Sequence, residues 1–435
     1  MAAVLPTPTI LVFGTFDTKL APLLRLHQFL LSQHPQPKIL VADVSCCTAI
    51  SHPIISLPYL NGTYDPLGIG PEKDNKHQPL DMTSVISHFT TQLESLYKTQ
   101  QIHACISLGG SCGSSLASQA MRKALPLGVP KVIVSTMASG DTRPYLEDSD
   151  IVLIPSIVDI AGENTVLDMV LRNAAGAVNG MAWAAAAAAA GSQGSQGSQA
   201  PPEPLLPPKE KRRVAVTMFG ITTPAVEEAR QVLEASGCEV LIFHATGSGG
   251  RCMERLIRSG LISGVLDLTT SELVDEICGG VLSAGSTRLL GAVQMGVPQV
   301  VSTGAGDCIN FGPSATLPER YRNNGRTWLI HNEAVTLVRT NKEECGKLGK
   351  LMAERLKGAK DGRLAVIVPT RGMSKIGEKT DVFYDAESDM EVVKGMREGG
   401  LEVEMRDMAI NDEGFGRECA ERLISMMDAC EASQV

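Results

Sequence analysis

Along the chain, short apolar runs alternate with longer stretches in which apolar residues recur every three or four positions. In the first half the runs are Thr9–Phe13, Lys38–Ala42, Ala104–Leu108, Val132–Val134 and Ile151–Ile154. They are continuous rather than alternating, the pattern of strands covered on both faces. Between them Leu20–Leu31, Thr83–Tyr97 and Ser114–Leu125 carry helical spacing. In the second half the predicted strands are Val214–Val216, Val240–Phe243, Val265–Leu266, Val300–Val301, Trp328–Ile330 and Ala365–Val368. Helices are predicted over Pro224–Ala235, Lys342–Leu356 and Arg417–Met427. Strands alternating with helices mean βαβ units, and so an α/β fold of two Rossmann-like, doubly wound parallel-sheet domains.

A low-complexity break divides the two halves. Ala184–Ala190 is followed by three Gly-Ser-Gln units over Gly191–Gln199 and a proline-rich stretch ending at Pro208. Such a segment has little to bury and reads as a flexible linker. The expected boundaries are residues 1–188, a linker over 189–209, and a second domain over 210–435. The halves also resemble each other. With two single-residue gaps, Gly128-Val129-Pro130-Lys131-Val132-Ile133-Val134-Ser135-Thr136 and the Gly-Asp pair beyond it align with Gly296-Val297-Pro298-Gln299-Val300-Val301-Ser302-Thr303 and the Gly-Asp pair that follows there. Internal duplication is the simplest account.

Composition narrows the class. Hydrophobic residues at 43% and charged residues at 20% suit a globular chain, and 435 residues exceed what one core usually organises. The net charge of -9 argues against a general nucleic-acid surface. The 11 cysteines show no CxxC spacing, Cys46-Cys47 being the one adjacent pair, and read as reduced thiols. The opening residues carry no basic, apolar leader, and the alanine tract is too short to span a bilayer. A cytoplasmic protein without a membrane anchor is the expectation.

The strongest local signal is Ser107-Leu108-Gly109-Gly110-Ser111-Cys112-Gly113, between a buried strand and a helix. Missing Cβ atoms permit close approach, and a helix start offers unpaired N–H groups to an anion such as phosphate. A tight turn that needs glycine for packing alone is the alternative. The string also fits GxSxG, which would make Ser111 a nucleophile. Only His244 and His331 follow it, both beyond the linker, which argues against a hydrolase triad.

Two further loops belong to the same predicted edge. In Gly14-Thr15-Phe16-Asp17-Thr18-Lys19, Thr15 and Thr18 can bond phosphate, Lys19 can neutralise it, and Asp17 can hold Mg²⁺ or a ribose hydroxyl. Helix capping by Asp17 or Thr18 is the bland alternative. Ser139, Gly140 and Asp141, with Arg143, form the third polar loop. In the second half a possible ligand site combines His244, Gly249, Gly250 and Arg251 with Asp307, His331 and Arg339. His331 could act as a general base, but a hydrogen-bonded structural histidine is the favoured reading. No His/Cys/Asp/Glu cluster has metal-site spacing.

These strings resemble a known family. Over nearly its full length the chain is similar to the amino-terminal region of the tomato mosaic virus resistance protein family, with its bacterial and fungal members. The resemblance rests on Gly14–Lys19, Gly109–Ser111, Val134–Tyr145, Val158–Asn164, Asn173–Ala177, His244–Gly247, Gly264–Leu273 and His331–Thr340. The chain departs from the family's pattern at Cys112, at Ser114, and around Tyr64 to His77. The resemblance implies ATP bound in the first domain, with Mg²⁺ as its companion, and a homodimer. Its candidate contacts are Thr15, Asp17, Thr18, Lys19, Gly109, Gly110, Ser111, Gly113, Ser139, Gly140 and Asp141. A nucleotide-binding protein is therefore the leading expectation. The alternatives are a metabolic enzyme acting on a small anion in the cleft between halves, or a protein-interaction module.

Overall fold

The computed structural model describes residues 6–45, 54, 82–162, 164–192, 211–323 and 325–432. Cys46-Cys47, the segment from Tyr64 to His77 and most of the predicted linker lie outside the described residues. The chain divides into two compact units, residues 1–208 and 209–435.

The first unit runs β1 (Thr9–Gly14), α1 (Phe16–Leu31), β2 (Lys38–Asp43), α2 (Met82–Lys98), β3 (Ala104–Gly109), α3 (Ser111–Ala124), β4 (Lys131–Ser135), α4 (Arg143–Leu146), β5 (Val152–Pro155) and α5 (Thr165–Ser192). Its five strands pair in the order β2-β1-β3-β4-β5, all parallel. Because successive strand residues face opposite ways, each strand serves two cores. Leu11, Phe13, Cys105 and Ile133 pack against residues of α2 and α3, such as Phe89 and Leu116. Ile10, Val12, Ile106 and Val132 pack against α1 and α5, through Leu23, Leu26, Leu167 and Leu171. The continuous apolar runs follow directly from this double covering.

Two details extend the sequence reading. The alanine tract Ala184–Ala190, whose last two residues fall in the predicted linker, continues α5 to Ser192. Alanine has the highest helix propensity, and Ala174, Val178, Ala182 and Ala186 repeat every four positions on its buried face. Helix α1 starts four residues before the predicted Leu20 and is kinked, Lys19 being non-helical at φ -127, ψ 28. Pro22 lies just beyond that kink and supplies no N–H to the preceding turn.

The second unit runs β6 (Arg213–Met218), α6 (Thr223–Ala235), β7 (Glu239–His244), α7 (Ser248–Arg258), β8 (Gly264–Thr269), α8 (Ser271–Cys278), α9 (Gly291–Met295), β9 (Gln299–Gly304), β10 (Cys308–Phe311), α10 (Glu319–Arg322), β11 (Trp328–Asn332), β12 (Val335–Arg339), α11 (Lys342–Leu356), β13 (Leu364–Pro369), α12 (Ala386–Glu398), β14 (Glu404–Arg406) and α13 (Phe415–Ala432). Its main sheet is parallel, ordered β14-β13-β9-β8-β6-β7.

Counted along the chain, the strands of both parallel sheets take the order second, first, third, fourth, fifth, provided that β10–β12 are set aside, and the second sheet adds a sixth, β14. The aligned strings of the two halves fall on β4 and β9, the fourth strand of each sheet. The fold is thus a duplicated Rossmann-like unit. Trp328–Ile330 does not join the parallel sheet: β11 pairs antiparallel with β12, and β12 with β10. The turn at Glu333-Ala334 is too short for a parallel crossover and closes a hairpin instead. The stretch His331–Thr340 accordingly contains β12, whose residues from Thr336 to Arg339 are buried. Among the described residues no helix is long and apolar enough to cross a membrane.

Candidate functional site

In the first sheet β1 and β3 are neighbours, but the helices that follow them leave on opposite faces, α1 into one core and α3 into the other. That is the switch point at which open α/β sheets receive ligands. The Gly109-Gly110-Ser111 turn lies there, and its glycines differ in what they do. A Cβ on Gly109 would stand 2.8 Å from the Gly113 Cα, so Gly109 is needed for packing of strand on helix. A Cβ on Gly110 would meet only the Thr136 Oγ1, at 3.7 Å, and one on Gly113 the Leu108 carbonyl at 3.6 Å. Both are ordinary contacts, so packing does not explain the second and third glycines.

Gly110 is the N-cap of the fourteen-residue α3 and supplies no side-chain acceptor. The amides of Ser111, Cys112 and Gly113 precede the first bond of the helix ladder, Ser114 N–H to the Gly110 carbonyl at 2.9 Å. Ser111 and Cys112 are exposed. The turn is held from behind: Ser114 Oγ lies 2.6 Å from Ser135 Oγ and donates to the Gly109 carbonyl at 3.1 Å. Thr136 N–H also donates to the Gly109 carbonyl, tying the β4 turn to the glycine turn. The Ser111 hydroxyl has no hydrogen-bond partner among the described residues, so none of them activates it as a nucleophile.

At the end of β1, Thr15 is the N-cap of α1 without a side-chain cap, its Oγ1 lying 2.9 Å from Thr18 Oγ1. Lys19 Nζ donates to the Ile160 carbonyl at 2.7 Å, fastening α1 to the loop after β5. Asp17 caps nothing, and its buried Oδ1 has no partner. The capping falls to Asp43 at the end of β2, whose Oδ1 accepts Phe16 N–H at 3.2 Å and Ser45 N–H at 2.9 Å. Neither Asp43 nor Ser45 was singled out by sequence reasoning. The available signal was an acidic residue closing the apolar run Ile39–Ala42.

In the loop after β4, Ser139, Gly140 and Asp141 are exposed. Asp141 accepts the Arg143 guanidinium at 2.9 and 2.8 Å and the Arg143 N–H at 3.1 Å. Those bonds hold its carboxyl below the usual range. The loop thus presents an exposed ion pair at the same sheet edge.

The second-unit candidates do not converge. Ser248–Arg258 does open as a helix after a glycine turn, but its amino terminus is filled from within. The buried Glu272 carboxylate accepts Gly247 N–H at 2.6 Å and Gly250 N–H at 3.1 Å, and a Cβ on Gly250 would meet it at 2.1 Å. Gly249 is required because a Cβ there would stand 1.9 Å from the His244 carbonyl. Arg251 donates to the Ser283 carbonyl at 3.0 Å. Asp307 is wholly buried, its Oδ2 accepting Ser374 Oγ–H at 2.6 Å, and burial raises its pKa. Arg339 is buried and spent on the Phe383, Thr340 and Asp385 carbonyls, the Thr340 hydroxyl and the Asp389 carboxylate. His244 is exposed at the end of edge strand β7. His331 is exposed at the β-bulge of β11, on the separate antiparallel sheet.

What sequence reasoning missed here is a buried charge network. Arg288, fully enclosed, binds Asp267 and Glu272, while Glu254 accepts Leu289 N–H at 2.6 Å and Gly291 N–H at 2.8 Å. Its signal was an aspartate inside the apolar run Val265-Leu266-Asp267-Leu268. Among the described residues no group of three or more His, Cys, Asp or Glu side chains is placed to hold a metal ion.

Fold and edge geometry together define a duplicated Rossmann-like α/β protein whose first unit carries an open, uncapped glycine turn at its switch point. The chain belongs to the Uncharacterised protein family (UPF0261), residues 8–187 matching its N-terminal domain and residues 211–427 its C-terminal domain. It is 46% identical over 337 residues to a UPF0261 protein of Clostridium tetani, covering 77% of this chain and 78% of that protein. To the ToMV resistance protein Tm-1 of Solanum lycopersicum it is 42% identical over 289 residues, covering 66% of this chain but 36% of the tomato protein. A solved UDP-N-acetylglucosamine 2-epimerase aligns over 96% of this chain and 95% of its own at 10% identity, with a TM-score of 0.20.

Proposed function

We propose that the first unit binds a nucleotide, ATP foremost, with its phosphates at the amino terminus of α3. The observation that carries this reading is the Gly110 turn. Three helix amides stand without a capping acceptor beside two glycines whose Cβ positions are free. Free amides and the positive end of a helix dipole suit an oligophosphate. Thr15 and Thr18 at the end of β1, and Ser139, Gly140 and Asp141 after β4, belong to the same sheet edge and supply the remaining polar contacts. The family resemblance supports ATP over other anions. In this reading Lys19 fastens the loop through Ile160 rather than serving as a phosphate lysine.

Calorimetric titration with Mg-ATP tests the proposal on wild type, Gly110→Val and Asp141→Ala. Wild type is expected to saturate, Gly110→Val to lose at least about tenfold in affinity with its unfolding midpoint unchanged, and Asp141→Ala to weaken binding. If wild type takes up no nucleotide, the glycine turn is structural and the reading is wrong. The resemblance further supports a homodimer. A sedimentation mass of 46.2 kDa, the weight of one chain, would exclude it.

A further inference from the structure

The ends of β1 and β2 hold two carboxylates with oxygens that nothing in the fold satisfies. Asp43 is 2% exposed, and its Oδ2 is enclosed without a hydrogen-bond partner. The other oxygen, Oδ1, is committed to Phe16 N–H, Ser45 N–H and Ser45 Oγ–H. Ser45 Oγ in turn accepts the main-chain N–H of Asp17 at 3.0 Å, so one short relay ties the first turn of α1, which carries Asp17, to the end of β2. Asp17 Oδ1 is likewise enclosed and unpaired. No lysine or arginine of the described residues forms an ion pair with either, the nearest in sequence, Lys19, being turned to Ile160. An enclosed carboxylate oxygen without a partner is costly, and the first unit carries two of them where α1 is tied to the end of β2.

We propose that Asp43 and Asp17 form the seat of a divalent cation of the Mg²⁺ class, at the β1–β2 end of the first unit's sheet. A ligand hydroxyl would satisfy one lone pair and leave both charges uncompensated. A cation answers both deficits together. Mg²⁺ is commonly held by one or two carboxylates, with water and substrate phosphate completing its shell. Two protein ligands with water therefore suffice for a seat, and phosphate at the neighbouring α3 turn would tighten it. To that extent the inference rests on the nucleotide reading. Asp43 thereby has two roles, one oxygen capping α1 and the other facing the cation.

The test uses the full chain and Mn²⁺ as probe, counting bound Mn²⁺ from the loss of the free-ion paramagnetic resonance signal, with and without ATP. Wild type is expected to bind one Mn²⁺ per chain, more tightly with ATP, and to release it to excess Mg²⁺. Asp17→Asn and Asp43→Asn are each expected to weaken Mn²⁺ at least tenfold. Asp17→Asn removes no bond of the fold, so its loss of Mn²⁺ at an unchanged unfolding midpoint reads the site alone. Wild-type levels of Mn²⁺ in both variants, or none in wild type, would overturn the seat. Calorimetry with ATP in EDTA separates the two ideas. ATP bound without any Mn²⁺ site sinks the cation seat alone, whereas Mn²⁺ bound with no ATP affinity sinks the nucleotide reading and leaves the seat.

Discussion

Adjacent glycines at the first unit's switch point answer to different forces, and substitution separates them. A methyl on Gly109 would stand 2.8 Å from the Gly113 Cα and 3.1 Å from the Ser114 nitrogen, where only backbone movement relieves it. Gly109→Ala is therefore expected to destabilise the first unit by about 1–3 kcal/mol, the usual cost of forcing atoms into a filled space. Gly110 has φ -78, ψ -156, open to any residue, and 3.7 Å of clearance. Gly110→Ala is expected to unfold within about 0.5 kcal/mol of wild type, as a surface change does. Urea titrations of the two variants check this pair of outcomes, and equal losses would show that both glycines serve packing. The sequence showed a glycine string between strand and helix; it did not show which glycine was spent on packing, because that depends on how closely α3 lies on β3. Asp43 was equally hidden. Its importance comes from β2 pairing beside β1, a juxtaposition of residues 27 and 29 positions removed from Phe16 and Gly14 along the chain.

At the level of elements, the second unit places carboxylates where its helices begin and end, and their burial sets its response to pH. Asp275 on α8 accepts Asn310 N–H and Leu282 N–H, each at 2.8 Å, and links the helix to β10. Burial outweighs those bonds and raises its pKa from 3.8 to about 7. A folded-state value above the unfolded one means that the native unit holds this proton more tightly than the unfolded chain does. The contribution is fully present below about pH 4 and is lost as pH rises through about 7. Wild type minus Asp275→Asn isolates it, since asparagine does not titrate. The stability difference between them should shrink between pH 5 and 8 by on the order of 1 kcal/mol or more. A difference independent of pH in denaturant titrations would count against a protonated Asp275. Helix α7 makes a second case: with Glu272 already seated on its first amides, Arg288→Met would leave Glu272 and Asp267 buried without their cation. A loss of about 3–5 kcal/mol is expected, the scale for breaking a buried pair on one side. Elements of this kind were only partly legible. The parallel strands announced themselves as unbroken apolar runs such as Ala365–Val368. The hairpin of β11 and β12 did not, because Trp328–Ile330 has the same apolar look as a parallel strand and only its pairing with Leu337 and Val338 gives its direction.

On the scale of the whole molecule, each unit has its own hydrophobic cores on the two faces of its own sheet. Duplication supplied two copies of one strand order, but the copies have been put to different uses. In the first, the switch-point turn after β3 keeps three free amides and two unpaired carboxylate oxygens near its edge. In the second, the glycine turn before α7, which follows that sheet's second strand rather than its third, is closed by the protein's own glutamate, itself held by Arg288. An anion site that carries its own anion contributes to stability and leaves no room for another. This asymmetry predicts how the chain melts with ligand present. A ligand that binds only the native state of one unit stabilises that unit by RT ln(1 + [L]/Kd), about 2.7 kcal/mol at a hundredfold excess over Kd. In differential scanning calorimetry Mg-ATP should therefore raise the transition of the first unit and leave that of the second in place. Assignment of the transitions comes from Gly109→Ala, which should lower the first, and Arg288→Met, which should lower the second. Movement of the second transition alone would transfer the nucleotide to residues 211–432 and would mean that Glu272 is displaced when ligand arrives. Movement of both would mean that the units unfold as one, with binding energy in the first spent on holding the second together.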